Sequence, residues 1–220
     1  MNIQNIITSR PYKITEFLIL CIGIPTLLIV NLWVPFMFAF LWGAALYCFV
    51  IYRLTSKESL RTLWNWGAVT WPHMKPLLVR FVFAIIGMAL FLLWYDPERF
   101  LHVPREMPQI LPFLLVVYPV LSALPQEFIF CSFFFARYAY LFGRGKGMVV
   151  ASTLTFAYAH FMYINPVAPL LSLFGGYIFA RTYMEHKSLA LVTIEHGLYG
   201  NALFVLGLGW YFYSGSVVVQ

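Results

Sequence analysis

Long apolar segments alternate with short polar ones along almost the whole chain. A membrane-spanning helix needs about 20 mostly apolar residues. The first apolar run, over 17–50, is too long for one helix, and we expect it to break at 31–35. The run over 110–142 is again of double length, and 122–125 offers the break there. The eight spanning helices predicted in this way cover residues 15–31, 34–53, 77–95, 109–123, 126–142, 148–163, 168–183 and 189–213.

Composition places the whole chain, residues 1–220, in a single membrane domain. The sequence is 62% hydrophobic and only 10% charged, with a mean hydropathy of +0.81. Soluble domains carry about 25% charged residues. The longest polar stretch, 53–76, is too short for a soluble domain. We therefore expect an all-α, polytopic membrane protein.

The basic residues predict an orientation, because short cytoplasmic loops carry an excess of lysine and arginine. The N-terminal segment contains Arg10 and Lys13, and the net charge is +6. Five more basic residues follow the second predicted helix: Arg53, Lys57, Arg61, Lys75 and Arg80. We expect these charges to face lipid headgroups rather than nucleic acid. The N-terminus is then cytoplasmic, and an even number of helices makes the C-terminus cytoplasmic too. Arg144, Lys146 and Lys187 would fall on the other side.

Polar and ionisable side chains interrupt the apolar runs of the C-terminal half at Gln126, Glu127, His160, Glu195 and His196. An ionisable group in lipid is costly unless it faces protein or a water-filled cavity. We therefore expect Glu127, His160 and His196 to share an intramembrane polar cavity that opens to the cytoplasm. Adjacent helix residues point about 100° apart, so Glu195 and His196 cannot both face it.

Each of these residues also has a structural explanation. Glu127 could cap a helix that begins after Pro125, and a lone histidine such as His160 could be a core residue bonded to a carbonyl. Two histidines and a glutamate on separate helices favour function over these explanations. Elsewhere, the run Phe133–Phe135 suggests lipid-facing bulk, and Arg137 suits a helix C-terminus or the interface.

Three short motifs lie in order on these helices: PQEFIFC over 125–131, FAYAH over 156–160 and EHGLYGN over 195–201. In them the chain resembles the CPBP family, the CAAX-prenyl-protease-like and bacteriocin-processing membrane proteins also called Abi proteins. The family's motifs are Glu-Glu-x-x-x-Arg, Phe-x-x-x-His and His-x-x-x-Asn. The resemblance is close over about 126–201 and suggests a family core over about 109–213. It implies an integral protein of the bacterial inner (cytoplasmic) membrane.

The resemblance implies an intramembrane endopeptidase that hydrolyses a peptide bond with an activated water. By position, Glu127 is the carboxylate that remains to act as base, and His160 is its partner on the water. Gln126 occupies the place of the family's presumed base. His196 would donate to the oxyanion, with Asn201 as its helper.

The chain departs from the family pattern at three positions. Gln126 replaces the first glutamate, Cys131 replaces the arginine, and Gly200 stands in the asparagine position, one residue before Asn201. A catalytically inactive homologue, acting as a bacteriocin-immunity or chaperone-like membrane factor, is therefore the alternative. A proton-coupled transporter is a further one, because intramembrane glutamate and histidine relay protons in such proteins. The sequence shows no repeated halves of the kind that transporters have.

We expect no cofactor. Histidine and glutamate are also zinc ligands, so zinc or another divalent metal is the alternative, and metalloprotease is a label that fits the family. The chain lacks the His-Glu-x-x-His helix of soluble zinc proteases, which favours glutamate-type hydrolysis. The expected partners are a peptide or membrane-protein substrate and membrane lipids, and not nucleic acid.

Overall fold

The computed structural model describes residues 3–213, and within them the chain forms helices and connections without a strand. The all-α prediction is confirmed. The bundle consists of α1 (Arg10–Val30), α2 (Val34–Thr55), α3 (Trp71–Tyr95), α4 (Pro108–Arg137), α5 (Lys146–Ala159), α6 (Val167–His186) and α7 (Leu189–Leu206). Shorter α-helices lie at Ile3–Thr8, Leu60–Trp64, His102–Glu106 and Ala139–Phe142. Short 3₁₀ helices lie at Trp66–Ala68, Pro97–Arg99, His160–Tyr163 and Leu208–Phe212.

Five helices of the described chain are long and apolar enough to cross a membrane, namely α1, α2, α3, α4 and α7. Helices α5 and α6 coincide with the predicted helices at 148–163 and 168–183. However, α5 has only 14 residues, and α6, although 20 residues long, is less apolar than the five. The structure thus supports a polytopic membrane protein, and the predicted number of eight spans is not confirmed.

The largest departure from the predicted pattern is α4, which runs unbroken through the break expected at 122–125. A first π-helical segment, Pro119–Ala123, lies there, and a second follows at Phe128–Phe133. A proline lacks the backbone N–H and crowds the preceding turn. The wider π-helical turn accommodates both the missing hydrogen bond and the bulk of the proline ring without ending the helix. Glu127 consequently lies inside a helix, between two π-helical segments, and not at a helix N-terminus.

The connections between helices gather at two opposite ends of the bundle. At one end, Ser188 donates its hydroxyl to the carbonyl of Asn65 at 2.9 Å. At the other end, the backbone N–H of Leu101 donates to the carbonyl of Leu206 at 2.7 Å. We call the first end the basic face; it comprises residues 3–13, 54–70, 138–147 and 184–190. The opposite face comprises residues 31–36, 96–107, 160–166 and 206–213.

The basic residues concentrate at the basic face. Because α4 crosses the bundle once instead of twice, Arg144, Lys146 and Lys187 lie at the same end as the N-terminal segment, and the expectation that they fall on the other side is wrong. Of the 14 Lys and Arg residues, only Arg99 and Arg105 belong to the opposite face. The described chain also begins and ends at different faces. The prediction that both termini are cytoplasmic is not confirmed, and both terminal residues lie outside the described part of the chain.

A buried ion pair ties α1 to the end of α4. Arg137 donates from Nε to Oε2 of Glu16 at 2.6 Å and from Nη2 to the carbonyl of Ile7 at 2.6 Å. Arg137 and Glu16 are each 5% exposed, so the arginine does not reach the interface. The phenylalanine run is not lipid-facing either, because Phe133 and Phe134 are buried in the core.

Candidate active site

A buried hydrogen bond joins α4 to α7. Nδ1 of His196 lies 2.7 Å from Oε1 of Glu127, and the two residues are 5% and 1% exposed. An ionised carboxylate can only accept a hydrogen bond, so Nδ1 carries the proton in this contact. When the ring is neutral, Nε2 is left with a lone pair. The other carboxylate oxygen of Glu127, Oε2, has no hydrogen-bond partner among residues 3–213.

The imidazole of His196 is enclosed by aromatic side chains. Phe179 stacks on it at 4.5 Å with an interplanar angle of 15°, and Phe156 meets it edge-on at 5.8 Å. The Tyr118 hydroxyl lies 2.9 Å from Nε2. Since Glu127 holds Nδ1, both ring nitrogens of His196 have partners. A water or a substrate oxygen must therefore approach Nε2 beside the Tyr118 hydroxyl or in its place.

Tyr118 fits beside α7 because residue 200 is glycine. A Cβ atom on Gly200 would overlap the ring and the hydroxyl oxygen of Tyr118. The tyrosine therefore fills space that an asparagine at the motif position would need. Asn201, the next residue, does not replace that asparagine, since its Nδ2 donates to the carbonyl of Leu115 at 3.0 Å.

His160 lies where α5 gives way to the 3₁₀ helix. Its Nδ1 donates to the carbonyl of Phe156 at 2.7 Å, one turn earlier. The carbonyl only accepts, so Nε2 of the neutral ring again has the lone pair. The ring of Phe156 lies 4.6 Å from that of His160 and 5.8 Å from that of His196. The two imidazoles thus flank one phenylalanine.

His160 and His196 line the same cavity, which has a volume of about 850 Å³. Helices α3, α4, α6 and α7 form most of its wall, and most of the lining side chains are aromatic or aliphatic. The other polar side chains of the wall are Arg80, Tyr118, Ser122, Gln126, Tyr163, Ser172, Tyr199 and Tyr213. Glu127 is not part of this wall within residues 3–213, because its carboxylate lies behind His196.

Gln126 is the member of the Gln126–Glu127 pair that faces the cavity. Its Nε2 donates to the Ser122 hydroxyl at 2.9 Å. Its Oε1 is buried and has no hydrogen-bond partner among the described residues. Most buried polar atoms do have one, so this oxygen marks a place for a water or a substrate donor. Gln126 and His160 both also line a smaller adjoining cavity of about 100 Å³.

Glu195 faces away from the imidazoles, as the 100° offset predicts. Its Oε1 accepts from Nη2 of Arg80 at 2.8 Å, and the same nitrogen lies 3.1 Å from the Thr182 hydroxyl. Glu195 is fully buried, so Arg80 supplies the charge that this carboxylate requires. Cys131, in the arginine position of the first motif, is buried and brings no such charge to Glu127.

The residues of the site do not form a metal centre on their own. Among residues 3–213, no three His, Cys, Asp or Glu side chains lie close enough together to hold a metal ion. His160 and His196 could offer two nitrogens, but the carboxylate of Glu127 is bonded to Nδ1 of His196.

Sequence reasoning missed two residues of this region, Tyr118 and Arg80. Tyrosine is common in membrane proteins, so nothing in the pattern distinguishes Tyr118 from the other 13 tyrosines. Arg80 did carry a signal, because it lies nine residues inside α3, where a cation needs a partner. The loop position of the neighbouring basic residues suggests a role in topology for Arg80 as well, and only the coordinates show its pairing with Glu195.

The comparisons with known proteins agree with the motifs. Residues 108–213 match the family model described as type II CAAX prenyl endopeptidase, Rce1-like. The match begins with α4, extends beyond α7 and contains all three motifs, and it confirms the resemblance to this family. No curated protein and no solved structure matches the chain.

Proposed function

We propose that this chain, whose residues 108–213 match the model of the Rce1-like type II CAAX prenyl endopeptidases, is an intramembrane endopeptidase. One observation supports this most. Two imidazoles, His160 and His196, line a single cavity, and a buried carboxylate, Glu127, holds the second of them. Imidazoles are the commonest acid–base groups at neutral pH, and a cavity gives them access to a water and a peptide bond.

Gln126 and His160 provide a place for the attacking water. A water between them would donate one O–H to the unpartnered Oε1 of Gln126 and the other to Nε2 of His160. The amide of Gln126 can orient this water but cannot take its proton. We therefore assign the general base to His160, in place of the carboxylate that the family motif has at position 126.

In this proposal Glu127 acts on His196 and does not activate the water. A carboxylate bonded to Nδ1 favours the charged imidazolium and fixes its orientation. His196 then donates from Nε2, and the Tyr118 hydroxyl beside it is a second donor. The two groups lie side by side at 2.9 Å, and as two donors they would stabilise an oxyanion that displaces their mutual contact. Asn201, bonded to the Leu115 carbonyl, is assigned to the packing of α7 against α4.

The reaction balances with these residues alone. The water oxygen forms a bond to the peptide carbonyl carbon while its proton moves to Nε2 of His160. The carbonyl oxygen becomes an oxyanion facing His196 and Tyr118. The C–N bond then breaks as His160 returns the proton to the leaving nitrogen, giving an amine and a carboxylic acid, which loses its remaining proton to water. Glu127 is a positioning residue in this scheme, because it acts through His196.

The substrate we propose is an apolar peptide segment or a membrane protein, because the cavity wall is mainly aromatic and aliphatic. We further propose that the basic face is cytoplasmic, since it contains seven of the 14 Lys and Arg residues whereas the opposite face contains two, and cytoplasmic loops carry such an excess. The cavity is lined by Phe212 and Tyr213 of the opposite face, so its opening would lie on the non-cytoplasmic side.

A second function is favoured by one observation, the neutral Gln126 in the cavity wall. If His160 alone cannot activate water, the same cavity would bind an apolar peptide without cutting it. The chain would then be the immunity or chaperone-like factor that the departures from the family motif suggest. Restoring a carboxylate at position 126 distinguishes the two, because it returns a base to the cavity.

Cleavage of membrane-embedded peptides by the reconstituted chain tests the proposal. The wild type and Gln126→Glu are compared with His160→Ala, and with His102→Ala as a matched control at the opposite face. We expect cleavage by wild type, at least about 10²-fold less with His160→Ala, and no change with His102→Ala. Binding without cleavage in wild type, with cleavage gained in Gln126→Glu, would establish the second function. Chelation of the active preparation should leave the rate unchanged; a loss that added zinc restores would overturn the metal-free scheme.

A further inference from the structure

A second large cavity lies at the basic face, away from the imidazoles, and we call it the basic cavity. It has a volume of about 830 Å³. Its wall comes from the start of α1, the end of α2, the end of α4, the start of α5 and the end of α6. These segments are far apart in sequence and meet only because the connections 55–63, 138–147 and 184–188 share one face.

Positive charge predominates in this cavity. Lys13, Lys57, Arg144 and Lys187 line it, and none of them has a carboxylate within 4.0 Å among residues 3–213. Glu58 is the one acidic residue in the wall as described, and its Oε2 already accepts from the Tyr52 hydroxyl at 2.7 Å. Arg137 also lines the cavity but is neutralised by Glu16. The four unpaired cations and the one carboxylate give the cavity wall a net charge of +3.

Lys187 is held in place by the fold. It ends α6 in a left-handed conformation, with a φ of +47°, and its backbone N–H donates to the Tyr183 carbonyl at 2.8 Å. Its ammonium lies 4.8 Å from the ring centroid of Phe135 and 5.4 Å from that of Tyr183. Burial lowers the pKa of Lys187 from its ordinary value, so an anion bound here would favour the charged form.

The start of α5 adds a second feature that suits an anion. Its N-cap residue, Gly145, has no side chain to cap the helix, so the first N–H groups have no side-chain acceptor. Arg144 precedes this N-terminus, and Met148 of the first turn lines the cavity. The N-terminal end of a helix carries a partial positive charge and binds phosphate through free N–H groups.

We propose that the basic cavity binds the phosphate group of an anionic phospholipid. A phosphate would pair with Arg144 and Lys187 at the rim of the bundle, where headgroups lie. Membrane orientation alone does not explain why these basic residues surround one cavity. Orientation requires basic residues in the cytoplasmic loops, but it does not require them to converge on one concave site. Anionic lipids are concentrated in the cytoplasmic leaflet, and each nearby cation contributes to their attraction. A soluble phosphate compound shares this chemistry, so the test must separate the two sources.

Native mass spectrometry of the full chain, equilibrated with equal amounts of phosphatidylglycerol and phosphatidylcholine of the same acyl chains, measures the preference. We expect wild type to retain phosphatidylglycerol selectively, and Arg144→Gln or Lys187→Gln to reduce that selectivity by about fivefold each. Arg105→Gln, which removes one cation from the opposite face, should leave it unchanged. Lys187→Arg keeps the charge and should retain the preference, which separates loss of charge from a folding defect.

Two outcomes would overturn the proposal. One is equal retention of both lipids by wild type, and the other is an equal effect of Arg105→Gln and Arg144→Gln. Inorganic phosphate distinguishes the sources of the anion. If it competes with phosphatidylglycerol, the phosphate group is the recognised element, as proposed. If it raises the unfolding temperature of wild type but not of Lys187→Gln while no lipid preference exists, the site is one for a soluble phosphate compound.

Discussion

The Tyr118 hydroxyl lies 2.9 Å from Nε2 of His196, on the side of the imidazole opposite to Glu127. This contact depends on Gly200, since a side chain there would overlap the tyrosine. The glycine at the motif position therefore makes room for Tyr118, and Tyr118 in turn places its hydroxyl against His196.

Removing only the Tyr118 hydroxyl tests its proposed role as an oxyanion donor. Tyr118→Phe keeps the ring, so the packing beside Gly200 is preserved. We expect kcat for peptide cleavage to fall by about 10²–10³-fold with little change in KM. Tyr177→Phe, at an exposed tyrosine of α6, is the matched control and should behave as wild type. An unchanged kcat in Tyr118→Phe would show that the hydroxyl only fills space.

A Cβ atom at position 200 should destabilise the fold. We expect Gly200→Ala to cost about 1–3 kcal/mol of unfolding free energy, because the Tyr118 ring must move. Gly43→Ala is the control, since a Cβ on Gly43 of α2 meets nothing within 4 Å; alanine should be neutral or stabilising in that helix. Denaturation in detergent measures both. Equal stability of the two variants would mean that the tyrosine does not occupy the space beside Gly200.

The Glu127 carboxylate should position the imidazole of His196 for catalysis. Glu127→Gln keeps a hydrogen-bond acceptor for Nδ1 but removes the negative charge behind the ring. We expect kcat for peptide cleavage to fall by about 10²–10⁴-fold with little change in KM, because the charged donor for the oxyanion is weakened. Glu185→Gln, at an exposed glutamate, should leave both constants unchanged. Cleavage by Glu127→Gln at the wild-type rate would contradict the assignment.

The buried pair of Arg137 and Glu16 should carry much of the stability of the α1–α4 contact. Glu16→Ala leaves a buried guanidinium without its carboxylate, and breaking such a pair costs about 3–5 kcal/mol. The exposed pair of Arg181 and Glu185 is the comparison, and Glu185→Ala should have no measurable effect. Thermal unfolding in detergent checks both. A small effect of Glu16→Ala would mean that the pair is more hydrated than its 5% exposure indicates.

The sequence predicted some parts of this fold and not others for identifiable reasons. Helices α1, α2, α3 and α7 follow the apolar runs closely, because length and hydropathy decide spanning helices. Helix α4 does not, since Pro119 and Pro125 suggest a break, whereas π-helical turns keep the helix continuous. That one difference reverses the side on which Arg144 and Lys187 lie.

The residues of the candidate site, too, could be predicted from the sequence only in part. His160 and His196 could be identified because ionisable groups in apolar helices are costly, and both line the cavity. The direction in which each member of the Gln126–Glu127 pair points could not be identified. It depends on the helical phase of α4, which the π-helical segments shift. Tyr118 carries no charge, so only the coordinates place it against His196.

Thiol labelling tests the two-faced arrangement of the loops. The native cysteines, Cys21, Cys48 and Cys131, are buried, so a membrane-impermeant reagent should report introduced cysteines. We expect Arg144→Cys and Lys187→Cys to react from the same side of a vesicle. Arg105→Cys should react from the other side only. Labelling of the Arg144 and Arg105 variants from one side would contradict a single crossing by α4.

Hydrolysis of a membrane-embedded peptide in H₂¹⁸O is the most direct test of the central claim, that His160 and His196 act on a water in one cavity. We predict that the wild type yields a new carboxyl terminus containing ¹⁸O, and that His160→Ala and His196→Ala each form it at least about 10²-fold more slowly. The result that contradicts the account is product formation by both histidine variants at the wild-type rate, or intact peptide with both the wild type and Gln126→Glu.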